Sequence, residues 1–190
     1  MSALKLSFHG TFALKKQDVL KLLEAAETEQ ALNGSLMELV ERTGLGNEKV
    51  LRIKSWAVRS GLVRQNHLSP EGAVIRACDP YLTSPITDWL MHFYLSFGDR
   101  GLQSPSVNPA EWDGWPYFVF CFLPEHPEFT LDQLLQASAP IFETGSPKLL
   151  RDNFRFVLRA YTEVQALWSC RFVQGILPMI ENAAGRSRQC

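Results

Sequence analysis

Apolar residues first fall into a helical rhythm at Val19, Leu22, Leu23 and Ala26, which predicts a helix over 15–32. Asn33 and Gly34 stop it. Ser35, with Glu38 three residues on, has the form of a capping box and starts a second helix with Leu36, Leu39 and Val40 on its inner face. Thr43-Gly44-Leu45-Gly46 turns the chain into a third helix over 47–60, which Gly61 ends at its C′ position. A short helix, a glycine turn and a longer helix form the layout of a helix-turn-helix. Leu62–Gln65 then reads as a strand, Asn66-His67 as a turn and Leu68-Ser69 as the return. Pro70-Glu71-Gly72 opens another helical stretch, Ala73–Ala77. Three helices and a hairpin in this order predict a winged helix.

Beyond it, Asp79-Pro80-Tyr81-Leu82 is a turn and Pro85 starts a helix over 86–97 that carries Trp89, Leu90, Phe93 and Tyr94. Gly98–Ala110 reads as a loop. The apolar run Trp115–Leu123 is a buried helix or a strand, and periodicity does not separate the two. Thr130 caps a helix over 131–138. Ser146 and Pro147 give a strong start signal for a last helix over 147–162. The expected fold is mainly α. It has a winged helix-turn-helix domain over 1–76 and an acidic, aromatic helical connector over 77–128. A C-terminal helix-turn-helix-like helical module over 129–183 and a flexible tail over 184–190 complete it.

Composition supports a folded chain. Of the 190 residues, 46% are hydrophobic and 21% charged, which excludes a disordered chain. A chain of this length buries roughly 70% of its unfolded surface, so neither disulfides nor a metal are needed to hold it. The N-terminus has no apolar segment of the secretory kind. The longest apolar run is far shorter than the ~20 residues of a membrane helix. The expected location is the cytoplasm, with no membrane partner. Cys78, Cys121, Cys170 and Cys190 stand singly. They read as small core residues or free thiols, and no cofactor or metal is expected.

Charge changes the picture, because the net −1 hides a segregation. Residues 1–76 carry a net +3, residues 77–146 a net −8 and residues 147–190 a net +4. Such asymmetry bears on partners rather than on fold. On the third helix, Val50, Ile53 and Ala57 share one face, while Lys49, Arg52, Ser55, Trp56 and Arg59 lie outward. That outward face suits a major groove, where Arg and Lys pair with guanine edges or phosphates. Arg64 and His67 on the hairpin would reach an adjacent backbone or minor groove. Glu48 points outward as well, against the trend, and Lys54 lies at the edge of the inner face. On the last helix, Lys148, Arg151, Arg155 and Arg159 fall within an arc of ~80°, opposite Leu150, Phe154, Val157 and Tyr161. A line of four cations can track phosphates, and it can equally be a solvated face or pair with the acidic centre.

No catalytic constellation emerges. His92 could act as a base or be a satisfied core histidine, and nothing in the sequence brings Asp88 and Asp113 together. No nucleophile stands beside a base and no glycine-rich phosphate loop is present, so an enzyme is not expected.

Three patches carry a family resemblance. They are Leu6-Ser7-Phe8-His9-Gly10-Thr11-Phe12, then Asp79-Pro80-Tyr81-Leu82 through Trp89-Leu90 and His92, then Leu149 through Tyr161 with Arg151-Asp152. Together and in this order they resemble an uncharacterised bacterial family, domain of unknown function four-thousand-and-seven. Members often lie near genes for DNA phosphorothioation and other phage defence. The resemblance implies an accessory role in DNA modification or restriction, and it carries over no catalytic residue. Some members continue past the last patch, so it also implies that a C-terminal function is absent here. His9 reads as functional or as a hydrogen-bonded structural group.

The function expected is a non-enzymatic, DNA-binding winged-helix protein, accessory or regulatory in such a system. Its expected partners are double-stranded DNA and other subunits of a defence complex, and a homodimer is compatible. The alternative is an adaptor that docks a partner enzyme through the acidic aromatic centre.

Overall fold

The computed structural model describes residues 8–98, 114–142 and 146–163. It is mainly helical, and the strands among these residues form one small antiparallel pair. No helix among them is long and apolar enough to cross a membrane. Backbone proximity sorts the chain into two units, His9–Gly101 and Met1–Phe8 with Leu102–Cys190.

In the unit His9–Gly101, helix α1 spans Lys16–Ala26. It buries Val19, Leu22, Leu23 and Ala26, the positions whose spacing predicted it. It ends six residues short of the expected Leu32. Arg42 of the next helix donates hydrogen bonds to the Ala25 and Ala31 carbonyls at 2.6 and 2.5 Å and to Thr28 Oγ1 at 2.7 Å. The chain folds back around that guanidinium, with Ala31 in a left-handed conformation at φ 50° and Leu32 buried. Helix α2, Leu36–Thr43, starts from the capping box of Ser35 and Glu38. Such a cap stabilises a helix by about 1 kcal/mol. Leu39 is buried, but Leu36, expected on the inner face, is exposed. Gly44, at φ 62°, supplies the left-handed residue that ends α2.

Helix α3, Asn47–Arg59, packs against α1 and α2 and buries Val50, Ile53, Trp56 and Ala57. Strands β1, Val63–Arg64, and β2, His67–Leu68, pair antiparallel. The turn is Gln65-Asn66, one residue earlier than expected, with φ of 49° and 70°. Two consecutive positive φ values are the signature of a two-residue hairpin turn whose twist matches the strands. Helix α4, Pro70–Cys78, is capped by Ser69. Helix α5, Pro85–Phe97, is capped by Ser84. Asp79 joins the two. Its carboxylate accepts hydrogen bonds from the backbone of Thr83 and Ser84 and from the hydroxyls of Thr83 and Thr87, at 2.7–3.2 Å. Helix α5 is tied to α1 by Lys16, whose ammonium reaches Asp88 Oδ1 and Oδ2 at 2.5 and 2.7 Å.

In the other unit, the run Trp115–Leu123 is helical. Helix α6, Gly114–Tyr117, passes into a π-helical turn, Phe118–Phe122, and then into α7, Leu123–Glu125. Pro124 explains the widening. It has no N–H to offer the Phe120 carbonyl, and its ring crowds that carbonyl. Helix α8, Leu131–Ser138, begins with the capping box of Thr130 and Gln133. Helix α9 spans Pro147–Glu163. The core between these elements is aromatic. Phe118, Phe122 and Phe154 are fully buried, Trp115 lies 5.2 Å from Tyr161 between ring centroids, and Phe122 meets Phe129 edge-on at 5.0 Å. Edge-on pairs of this kind contribute about 0.5–1.5 kcal/mol each beyond their area. Asp113, Cys170, Cys190, most of the expected loop Gly98–Ala110 and the tail over 184–190 lie outside the described residues.

Candidate nucleic-acid interface

The sequence assigns to α3 an outward face of Lys49, Arg52, Ser55, Trp56 and Arg59. The structure divides that set. Arg52 is exposed, and Ser55 and Arg59 are half-buried. The Ser55 hydroxyl donates back to the Leu51 carbonyl at 3.1 Å, within its own helix. Lys49 turns to α1, where its ammonium lies 2.9 Å from both carboxylate oxygens of Asp18. Trp56 is the clear correction. It is fully buried, because the segment preceding α1 folds over it. Its indole N–H donates to the Phe12 carbonyl at 2.9 Å, and the His9 ring stacks on it at 5.8 Å. The 3.6-residue wheel puts Trp56 at the flank of the helix, and a segment distant in sequence decides whether a flank is covered. Lys54, at the other flank, extends its ammonium to within 3.5 Å of the Leu32 carbonyl, and partial burial lowers its pKa.

The exposed surface of α3 therefore consists of Asn47, Glu48, Leu51, Arg52 and Val58. It is smaller and more apolar than the wheel implied. On the hairpin, Arg64 and His67 are directly paired across the strands and both are exposed. Directly opposed residues of an antiparallel pair share one face, so the two side chains stand together. Glu71 also lies near Arg64. A hydrogen bond from the Tyr94 hydroxyl at 2.7 Å is the main cause that holds the Glu71 carboxyl below its ordinary pKa, with Arg64 adding to it.

Helix α9 keeps its pattern in three dimensions. Lys148, Arg151, Arg155 and Arg159 are all exposed, and Leu150, Phe154, Val157 and Tyr161 are all buried. Arg151 also pairs with Asp132 of α8 at 3.2 Å, between two exposed side chains. A pair this wet contributes about 0–1 kcal/mol and yields readily to a competing anion. The face offers four cations on the 5.4 Å rhythm of a helix.

The groups weighed for catalysis lie elsewhere. His92 is edge-on to Trp89 at 5.7 Å, and Ser96 Oγ is 3.5 Å from its Nε2. Burial pushes its pKa down to about 4, which keeps the ring neutral. Asp88 faces Lys16. Burial raises its pKa and the nearby ammonium only partly offsets that. Cys121 is half-buried, and burial, with Glu125 nearby, raises its thiol pKa, the opposite of what a reactive thiolate needs. His126 stacks on Phe122 at 4.2 Å. Among the described residues no group of three or more His, Cys, Asp or Glu side chains is arranged to hold a metal ion.

Sequence reasoning missed Asp18 and His9 as neighbours of α3, and Arg42 as the residue around which the chain turns after α1. Their partners lie 31 residues away for Asp18 and up to 17 for Arg42, beyond any local spacing rule.

No curated protein matches the chain, and no solved structure does. One family, described as Protein of unknown function (DUF4007), matches residues 6–172, in agreement with the resemblance carried by the three sequence patches. The chain belongs to that family.

Proposed function

We propose that this protein binds double-stranded DNA without catalysing a reaction on it, as an accessory or regulatory component of a bacterial DNA-modification or phage-defence system. The observation that carries the reading is the face of α9, with Lys148, Arg151, Arg155 and Arg159 exposed in one line opposite the buried Leu150, Phe154, Val157 and Tyr161. Each phosphate such a face neutralises releases counterions and steepens the salt dependence by ~0.9. A second support is the order of α1, α2, α3 and the β1–β2 hairpin, which is that of a winged helix-turn-helix. In this reading α3 offers Arg52 to the groove and the hairpin offers Arg64 and His67. Lys49 contributes mainly to the fold, through Asp18.

Binding of a fluorescently labelled duplex, measured at two salt concentrations, tests the proposal. The double substitution Arg52→Ala with Arg155→Ala should weaken binding and lower the salt slope by ~2. Unchanged affinity would reject the assigned surfaces.

A second reading has its own observation. Val74, Tyr81, Ile86 and Trp89, on α4, the following turn and α5, are large hydrophobic side chains exposed at 63%, 74%, 79% and 37%. An adaptor that docks a partner enzyme would use such residues. It predicts co-purification with a partner, abolished by Ile86→Asp, and no duplex binding at moderate salt.

A further inference from the structure

We propose that the segment His9–Phe12 is a clamp that holds the Arg52 side chain in position for a duplex, with Gly10 as its positioning residue. The inference rests on the duplex-binding reading of Arg52. Gly10 adopts φ 57°, the left-handed region that favours glycine. Arg52 lies directly over it: a Cβ at Gly10 would stand 2.9 Å from Arg52 Nε, 3.3 Å from Cδ and 3.4 Å from Cζ. The backbone favours glycine here, and the outer end of the arginine, Cδ to Cζ, rests on bare main chain, so a side chain at this position displaces it. The segment itself is closed on itself by a turn and fastened to Trp56 by two contacts. Phe12 N–H donates to the His9 carbonyl at 3.0 Å, closing a turn. The Phe12 carbonyl accepts from Trp56 at 2.9 Å. The His9 ring, buried and with Nδ1 2.9 Å from the Gly10 carbonyl, stacks on Trp56 one helical turn from Arg52.

Arg52 is therefore an exposed residue whose outer end is guided by the main chain of this segment. An unguided arginine loses rotamer freedom when it binds, and a guided one has already lost part of it. Preorganisation of one long side chain corresponds to about a threefold to tenfold gain in affinity.

The test uses the 190-residue chain with Gly10→Ala and, because alanine strains the left-handed backbone, Gly10→Asn as well. Asparagine tolerates that conformation and still places a Cβ against Arg52. Each should weaken duplex binding about threefold to tenfold in the wild-type background and leave the affinity of Arg52→Ala unchanged. A segment with a purely structural role would instead add its loss to that of Arg52→Ala, and this additivity would overturn the proposal, as would wild-type affinity in both variants. The Arg52 Nε–H signal in nitrogen-15 NMR of the unbound protein gives an independent readout. It should move toward the position of a solvated arginine in both variants, and an unmoved signal removes the clamp. A wild-type chain with no duplex affinity but a Gly10-sensitive Arg52 signal leaves the clamp standing and removes the duplex as its target.

Discussion

The imidazole of His9 lies nearly parallel to the indole of Trp56, 15° from coplanar with ring centroids 5.8 Å apart. The contact turns a helix position that reads as outward into part of the core. It also sets the size of the surface that α3 can present.

Trp56 is expected to matter for stability far more than an interface tryptophan would. Trp56→Ala should cost about 3–5 kcal/mol in urea unfolding, the usual loss for a buried aromatic. Trp56→Phe keeps the stacking but leaves the Phe12 carbonyl without its donor, and should cost about 1–2 kcal/mol. A change below 0.5 kcal/mol for the alanine variant would mean that the segment over Trp56 is not held as described.

Lys49→Ala separates folding from binding. Asp18 is buried, and removing its ammonium partner leaves a carboxylate uncompensated. Partial exposure of the lysine keeps the expected cost at about 1–3 kcal/mol of unfolding free energy. The duplex salt slope should stay within experimental error of wild type. A slope lowered by ~0.9 with unchanged stability would return Lys49 to the phosphate-contacting set.

On acidification His92 and Asp79 each remove stability, while Asp88, whose pKa burial raises, returns some as it takes up its proton. The unfolded chain protonates His92 near 6.5, whereas the half-buried, desolvated ring resists until about 4. Stability is therefore lost as pH falls from 6.5 to about 4, by up to about 3 kcal/mol, and this contribution levels off below. His92→Leu should flatten that window. Asp79 acts lower. Burial raises its pKa, but hydrogen bonds from Thr87, Ser84 and Thr83 outweigh it and leave the carboxyl below its ordinary 3.8. Its contribution is complete above 3.8 and disappears as pH falls through the lower folded value. Urea midpoints measured from pH 7 to pH 3 on wild type and on each of His92→Leu and Asp79→Asn check both losses. A wild-type curve flat between 6.5 and 4 would contradict the first.

Gln65 occupies a left-handed position, φ 49°, at the hairpin turn. Gln65→Gly relieves that conformation and should raise the unfolding free energy by up to about 1 kcal/mol, visible as a higher melting temperature. A lowered melting temperature would mean that the Gln65 side chain has contacts that outweigh the backbone strain.

The sequence by itself determined what depends on neighbours within a turn or two. The capping box at Ser35, the cap at Thr130, the glycine end of α2 at Gly44 and the two-sided pattern of α9 follow from hydrogen bonds and periodicity that span three to eight residues. The basic line Lys148, Arg151, Arg155 and Arg159 was legible for the same reason. Tertiary structure alone decided the end of α1, where a guanidinium from α2 gathers the Ala25 carbonyl and the Ala31 carbonyl beyond it, and the pairing of Lys49 with Asp18 across 31 residues. It also decided the burial of Trp56 by a segment 44 residues earlier. A side chain on a helix flank has no local reason to face water or protein. Its exposure is set by whichever distant segment gains most by covering it, and no spacing along the chain encodes that choice.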